Sequence, residues 1–383
     1  MSKVLTKPGL NRLLNRLLNG PTPVLHHPRR SVQTLAYEEI KSSPEKPHEF
    51  TAFVLHGLLG SGRNWRSFSR SLASYLSPAQ WRMVLVDLRN HGKSAEIEGF
   101  LPPHNLENAA KDLANLVKSE GWDWPDVVIG HSMGGKVALQ FAQSCADGHY
   151  GDNVSLPKQI QNLTVLIALG DMFSYGCIKT VAEQLWVLDS VPGKVIRDNS
   201  DGEVENVLQT LQMFGSKYYR QKLGNGGNVE RRNCLSFSPA KWACFIPVHA
   251  VLKCSMHHML KLGFSRSLSE WIGSNLKKSE EQMTWAFNLD GSVQMFNSYR
   301  EMDYWPLLEH TPKGMEISIL RAEKSDRWDP DVIRQLEHVA SKRVGDAEGK
   351  VSVHVLPNAG HWVHVDNPKG LLEIVAPKVA SVV

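Results

Sequence analysis

Short apolar runs alternate with amphipathic stretches over the first 145 residues and again near the C-terminus. Bounded by turn residues, these runs have the length and composition of buried β-strands. They are Gln33–Ile40, Ala52–Leu55, Met83–Val86, Val127–Ile129, Glu316–Leu320 and Val351–Leu356. The alternation predicts an α/β fold with a mostly parallel, doubly wound sheet. Ligands of such sheets bind outside the carboxyl ends of the strands, so residues directly after each run are candidates for chemistry.

The middle of the chain departs from this alternation. Two segments, at about 147–184 and 214–260, are predicted to be irregular insertions because they disturb the expected spacing of elements. Two runs in this part, Leu163–Leu169 and Leu185–Leu188, could each supply the strand that follows the helix-like Lys136–Ala142. We favour the second run, and leave open whether the insertions are ordered.

A helical pattern follows the insertions. The stretch Gly263–Leu276 places Phe264, Leu268, Trp271 and Ile272 on one helical face. This pattern predicts a cap helix over the carboxyl edge of the sheet. The cap and the irregular insertions are therefore expected within about 147–276.

A serine lies on a glycine-rich turn between a predicted strand and a predicted helix. The segment Gly130–Gly135 reads G-H-S-M-G-G, and it follows the strand run Val127–Ile129. A strand–turn–helix context of this kind is typical of a nucleophile elbow, where glycines allow close backbone approach and strain projects the serine Oγ outward. Ser132 is the predicted nucleophile.

Another turn follows the first central strand. The strand Ala52–Leu55 runs into His56–Ser61, whose backbone N–H groups could face the serine. An oxyanion formed by attack on a carbonyl requires two preorganised donors. The N–H of Leu58 and the N–H of Met133, the residue after the nucleophile, are the predicted oxyanion hole.

The candidate general base follows the last strand. The run Val351–Leu356 ends in a glycine-containing loop that carries His361. This histidine comes after the serine in chain order and directly follows a strand, as a general base should. The nearby His364 is the weaker alternative.

Together these motifs resemble the α/β-hydrolase superfamily, in particular its abhydrolase-type esterase and thioesterase branch of bacteria and mitochondria. The resemblance rests on four segments: His56–Ser61 with Asn64 and Trp65, Asp87–Ser94, Gly130–Gly135, and Ala359–His364. It implies an α/β-hydrolase fold with a helical cap and a serine, histidine and acid triad. In this family the turn Asp87–Ser94 is structural, so we expect no catalytic role for His91.

The acid of the triad has two candidates. The resemblance places it after the strand Glu316–Leu320, but the usual position there holds Ser325. Asp326, one residue further on, is our first choice, whereas Asp329 precedes a proline and is expected to cap the next helix. Asp189, at the end of the strand-like Leu185–Leu188, is the alternative, because some members of the branch carry the acid one strand earlier.

Size and charge agree with a single catalytic domain. The chain has 383 residues, of which 42% are hydrophobic, so residues 38–383 can form one domain with an inserted cap. The formal net charge is only +4 and much of the basic excess lies at the N-terminus. Neither a nucleic-acid groove nor a polyanionic substrate is indicated.

The cysteines and histidines do not form a recognisable metal motif. Five widely spaced cysteines argue against a disulfide framework. Cys254 lies near His257 and His258, but no C-x-x-C pair accompanies them, so we expect no metal site. We also expect no cofactor, because the chain carries neither a glycine-rich phosphate cradle nor a haem motif.

The N-terminal segment has the composition of a targeting sequence. Residues 1–37 contain basic residues and regularly spaced leucines, and the first acidic residue is Glu38. An amphipathic, acid-free segment of this kind resembles an organellar transit peptide. Sparse serine favours a mitochondrial over a plastid address, and a cytoplasmic protein with a basic tail is the alternative. The sequence has no uninterrupted apolar stretch long enough for a membrane span.

The predicted activity is hydrolysis of a carboxylic ester or thioester through an acyl-enzyme on Ser132. An apolar cap would desolvate a small acyl substrate while its carbonyl oxygen meets the two N–H donors. An acyltransferase on the same fold and a non-catalytic ligand-binding variant are the alternatives, since a fold does not determine a reaction.

Overall fold

A computed structural model describes residues 34–43, 45–151, 183–195, 204–211, 259–279, 282–342 and 349–382. All of them belong to one compact unit, Gln33–Val383. Several sequence-based predictions lie outside the described residues and stay predictions. They concern the presequence up to residue 33, the run Leu163–Leu169, most of the two insertions, and Cys254 with His257 and His258.

A seven-stranded sheet forms the centre of the unit. Its strands are β1 (Tyr37–Lys41), β2 (Phe50–Leu55), β3 (Trp81–Val86), β4 (Val127–His131), β5 (Gln184–Leu188), β8 (Glu316–Ala322) and β9 (Lys350–Leu356). The spatial order is β1-β3-β2-β4-β5-β8-β9. Only β1 is antiparallel to its neighbour, β3, and the other pairs are parallel. The mostly parallel sheet is confirmed, and the favoured run Leu185–Leu188 is β5.

Helices cover both faces of the sheet. They are α1 (Arg66–Tyr75), α2 (Leu106–Glu120), α3 (Met133–Ala146), α4 (Arg266–Ser274), α5 (Leu289–Glu301), α6 (Trp305–Glu309), α7 (Pro330–Ser341), α8 (Val363–Asp366) and α9 (Pro368–Val379). Alternate residues of β2 point to opposite faces, as a period of two requires. Phe53 and Leu55 pack with α2 and α3, whereas Ala52 and Val54 pack with α1 and α9. Each strand therefore contributes to two apolar layers.

A cap lies beyond the carboxyl edge of the sheet. It includes the helical segment 204–211, α4, and a hairpin of β6 (Leu276–Ser279) and β7 (Gln282–Trp285). The predicted cap helix corresponds to α4, which begins after Ser265, whose side chain accepts a hydrogen bond from the N–H of Leu268. Arg63 donates to the carbonyl of Ser274, which joins the cap to the sheet domain. None of the described helices has the length and apolar character needed to cross a membrane.

Strand register brings the chemistry-bearing residues to one edge. His131 at the end of β4 pairs with Leu188 at the end of β5. The next residues, Ser132 and Asp189, therefore emerge side by side, and the N–H of Ser132 donates to the carbonyl of Leu188 at 2.9 Å. This placement follows from the parallel arrangement, in which carboxyl ends of neighbouring strands meet.

Candidate active site

Ser132 has the backbone conformation of a nucleophile elbow. Its φ is 52° and its ψ is −121°, a region that residues with a Cβ rarely adopt. It forms the N-cap of α3, and its exposed fraction is only 7%. The strained turn therefore holds the hydroxyl at the junction of β4 and α3, as the sequence predicted.

Two glycines are needed for this turn. A Cβ added to Gly130 would lie 2.2 Å from the carbonyl oxygen of Gly134. A Cβ added to Gly134 would lie 2.5 Å from the carbonyl oxygen of His56. Both distances are far below van der Waals contact, so side chains at either position would displace the elbow. The G-x-S-x-G spacing thus reflects close packing of α3 against the turn after β2.

The imidazole of His361 is paired with Asp189. Its Nδ1 lies 2.8 Å from Oδ2 of Asp189, whose carboxylate is fully buried. A carboxylate only accepts hydrogen bonds, so the proton of the neutral imidazole is on Nδ1. Nε2 of His361 is then the basic nitrogen. Ser132 and His361 line the same cavity.

The Asp189 carboxylate is surrounded by donors from the loop after β8. Oδ1 accepts from the indole Nε1 of Trp328 at 2.6 Å and from the N–H of Ala322 at 3.0 Å. Oδ2 accepts from the hydroxyl of Ser325 at 2.7 Å. Burial by itself raises the pKa of the Asp189 carboxyl. The hydrogen bond from His361 and the charge of its ring lower the pKa, the donors Trp328 and Ala322 lower it further, and the net pKa is below its usual value. Asp189 is therefore held as a carboxylate.

The structure does not bring our first choice for the acid, Asp326, to His361. Its side chain is exposed, whereas Asp189 contacts Nδ1 of His361 directly. The direction of the loop after β8 explains the difference: Ser325 and Trp328 point toward Asp189, and Asp326 lies between them on the outside. Asp329 caps α7 as expected, accepting from the N–H of Asp331. The alternative acid, Asp189, is the one that the fold brings to His361.

His131 holds the loop that carries His361. Its Nε2 lies 2.8 Å from the carbonyl oxygen of His361, so this nitrogen carries the proton and donates. Burial, followed by the charges of His361 and His364, lowers the pKa of His131 well below its usual value, which keeps the ring neutral. Nothing in the elbow motif predicted a role for this residue. Its position beside Ser132 in the elbow was the signal available.

Lys136 joins the elbow helix to the segment after β5 and to the end of α5. Its ammonium group is fully buried and donates to the carbonyls of Gly193, Tyr299 and Met302 at 2.7, 2.7 and 2.9 Å. Two of these carbonyls lie at the C-terminal end of α5, where a positive charge is favourable. The apolar helix pattern of Lys136–Ala142 contained no sign that the lysine faces inward.

The predicted oxyanion donors also lie at this site. Leu58 and Met133 line the cavity with Ser132, as does Gly57 of the same turn. His56 fixes this turn: its Nδ1 donates to the carbonyl of Gly57 at 2.7 Å, and its Nε2 accepts from the N–H of Leu88 at 3.0 Å. Burial lowers the pKa of His56 to about 4, so it remains neutral.

Most of the remaining described cavity wall is apolar and comes from the cap and from α5. Its side chains are Val204, Leu268, Trp271, Phe296 and Tyr299, joined by Trp362 beside His361. Apart from the histidines, Arg327 is the one charged residue among the described lining residues. A site with this composition suits an acyl group better than a strongly charged ligand.

The chain is similar in sequence to known proteins over most of its length. The profile of the Alpha/beta hydrolase family matches residues 52–374. An sn-1-specific diacylglycerol lipase of Danio rerio is 38% identical over 314 residues, covering 82% of this chain and 73% of the relative. A protein phosphatase methylesterase 1 of Rattus norvegicus is 36% identical over 350 residues, covering 88% of this chain and 76% of the relative.

Solved structures support the same fold. A marine microorganism esterase superimposes with a TM-score of 0.58 at 19% identity, covering 91% of this chain and 99% of the esterase. The family match, which spans most of the chain, confirms the resemblance seen in the motifs, and the protein belongs to the alpha/beta hydrolase family.

Proposed function

We propose that this protein is a serine hydrolase that cleaves carboxylic esters, or thioesters of the same acids, through an acyl-enzyme on Ser132. The observation that carries the proposal is the Asp189–His361 pair on the cavity that also contains the strained Ser132. The two relatives that match most of this chain support the class of reaction, since one is named a lipase and the other a methylesterase.

In the first half of the reaction His361 removes the proton of Ser132, and Oγ attacks the carbonyl carbon of the ester. The N–H groups of Leu58 and Met133 stabilise the oxyanion of the tetrahedral intermediate. The imidazolium then protonates the leaving oxygen as the bond between carbon and that oxygen breaks. Asp189 keeps the imidazole in the correct tautomer and stabilises its charged form.

In the second half a water molecule takes the place of the leaving alcohol. His361 removes a proton from this water, the oxygen attacks the acyl carbon, and Oγ of Ser132 leaves with the proton that His361 returns. The products are a carboxylic acid and the free enzyme.

Covalent labelling of the full chain with a fluorophosphonate tests the proposal. We expect the parent protein to be labelled and to release acid from a methyl ester, and Ser132→Ala to do neither. Ser119→Ala is the matched control, because its hydroxyl on α2 bonds only to the carbonyl of Leu116 among the described contacts. Labelling of Ser132→Ala at the parental rate would show that the serine of the elbow is not the nucleophile.

We also propose that the basic part of residues 1–37 that precedes β1 directs the protein to an organelle, with the mitochondrion ahead of the plastid. The acid-free, leucine-containing composition of this segment supports the proposal. The full chain fused to a fluorescent protein at its C-terminus should co-localise with a mitochondrial marker. Replacing the six basic residues Lys3, Lys7, Arg12, Arg16, Arg29 and Arg30 by glutamine should disperse the signal, and an unchanged distribution would contradict the proposal.

A further inference from the structure

Two indole rings cover the side of the cavity that holds the imidazole of His361. The ring of Trp362 meets the ring of His361 edge-on, with centroids 5.5 Å apart. Trp271 of the cap helix α4 packs on Trp362, with centroids 4.7 Å apart. Both tryptophans line the cavity of Ser132. The cap and the His361 loop thus meet through this aromatic pair.

The chemistry of acylation determines which half of an ester lies there. As Oγ of Ser132 bonds to the carbonyl carbon, the bond from that carbon to the alcohol oxygen breaks, and the proton on His361 passes to this oxygen. The proton transfer requires hydrogen-bonding distance between the imidazole and the leaving oxygen. The alcohol half therefore lies against His361, where the two indoles are.

The whole cavity around Ser132 is small. Its volume is about 40 Å³, room for a few water-sized groups that the acyl and alcohol halves must share. Indole rings are rigid, and each of these two is held by a ring contact on the other. A bulky alcohol would have to separate the Trp271–Trp362 contact, whereas a methyl or ethyl group would not.

Building on the proposed function, we propose that Trp271 and Trp362 limit the size of the alcohol that is released, so that the substrates are acyl esters of small alcohols. Trp271 acts through size exclusion and takes no part in proton transfer. Phe296 and Tyr299 of α5 line the same cavity, and the proposal assigns the acyl half to their side.

Two ester series separate the alcohol half from the acyl half. The first contains methyl, butyl and hexyl acetate, whose alkoxide leaving groups have similar basicity. The second contains methyl acetate, butyrate and hexanoate. For Trp271→Ala we expect the kcat/KM ratio of hexyl to methyl acetate to rise about tenfold or more relative to the parent, since a few methylenes in an apolar pocket account for discrimination of this size. The ratio of methyl hexanoate to methyl acetate should change less than about twofold.

Two further variants make the result independent of folding losses. Trp271→Phe retains an aromatic ring and should shift the alcohol ratio in the same direction by a smaller factor. Trp285→Ala is the matched control, because this tryptophan of the hairpin packs on Phe287 with centroids 5.4 Å apart and is not among the described cavity residues. We expect both ratios of Trp285→Ala to equal those of the parent.

The outcomes distinguish this inference from the function on which it rests. The size limit is overturned if Trp271→Ala changes the ratio of methyl hexanoate to methyl acetate instead of the ratio of hexyl to methyl acetate, or changes neither ratio. Ester hydrolysis by the parent would still stand in that case. A parent protein that hydrolyses no ester and resists fluorophosphonate overturns both. A rise in the alcohol ratio for Trp271→Ala and Trp271→Phe, absent from Trp285→Ala, supports the proposal.

Discussion

The hydroxyl of Ser325 donates to Oδ2 of Asp189 at 2.7 Å, and the same carboxylate oxygen accepts from Nδ1 of His361 at 2.8 Å. Ser325 follows β8, where the resemblance to the family placed the acid, and Asp189 follows the neighbouring strand β5. The two strand ends therefore converge on one imidazole. The end of β5 carries the carboxylate, and the end of β8 carries a hydroxyl that donates to it.

Replacing Asp189 by asparagine should decrease kcat by about 10⁴-fold, because the amide no longer selects the tautomer with its proton on Nδ1. Asp326→Asn is the matched control, since that carboxylate is exposed. We expect its kcat to remain within about twofold of the parent, as for surface substitutions away from a site. Steady-state hydrolysis of methyl acetate measures both. Equal losses in the two variants would exclude Asp189 as the orienting acid.

The contact between Ser325 and Asp189 predicts that the acid can be moved to the end of β8. In the variant Asp189→Asn with Ser325→Asp, the asparagine Oδ1 still accepts from Trp328 and Ala322, and its Nδ2 can donate to the new carboxylate. We expect kcat to recover about tenfold or more over Asp189→Asn, a small part of the roughly 10⁴-fold loss. Asp189→Asn with Ser325→Asn is the uncharged control. Recovery in the control as well would mean that charge is not what His361 requires.

The hydrogen bond from His131 to the carbonyl of His361 predicts a positioning role. His131→Leu removes the donor, and a displacement of the imidazole by about 1 Å lowers kcat by about 100-fold while KM changes little. His131→Gln can place an amide N–H near the position of Nε2, so it should recover most of the lost kcat. Rescue by glutamine separates the hydrogen bond from simple packing. Equal kcat values for the two variants would argue against the role.

Lys136 should contribute to stability more than to chemistry. Lys136→Met leaves two buried carbonyls and one half-buried carbonyl with one donor fewer each, so the free energy of unfolding should decrease by at least about 3 kcal/mol. Lys111→Met is the control, because Lys111 is exposed on α2 and its replacement should have little effect. Urea unfolding at neutral pH measures the difference. A loss no larger than that of the control would contradict the anchoring role.

The buried, neutral state of His56 predicts a pH dependence of stability. Its pKa is lowered from 6.5 to about 4, so between these values the unfolded chain binds a proton that the folded protein does not. The free energy of unfolding should therefore decrease as pH falls through this window, with His56 contributing about 1.4 kcal/mol per pH unit. Its contribution is fully present above pH 6.5.

His56→Gln tests this assignment. Glutamine can still accept from the N–H of Leu88 but does not titrate. The slope of the unfolding free energy against pH should therefore decrease by about 1.4 kcal/mol per pH unit, which corresponds to one proton. Urea unfolding at several pH values between about 4.5 and 6 measures the slope. His91 is also buried, with a pKa lowered to about 3 by burial and, second, by the charge of His56, and it supplies part of the remaining slope. Parallel curves for parent and variant would rule out a contribution from His56.

Local pattern was sufficient for the fold and for the turn that carries Ser132. The buried runs identified the central strands, and the glycine spacing around Ser132 identified the strained turn. The predicted cap helix matches α4, and Asp329 caps α7 as predicted. These features depend on residues close together in the chain, where apolar periodicity, capping and steric limits act directly.

Tertiary structure decided which acid meets His361 and what supports it. Asp189 and Asp326 both follow strands, and nothing local distinguishes them, because the choice depends on how the loop after β8 turns relative to the end of β5. The inward orientation of Lys136 and the bond from His131 to the His361 loop likewise join segments more than 50 residues apart in sequence. Contacts of this kind are set by strand order and packing, and no periodicity along the chain encodes them.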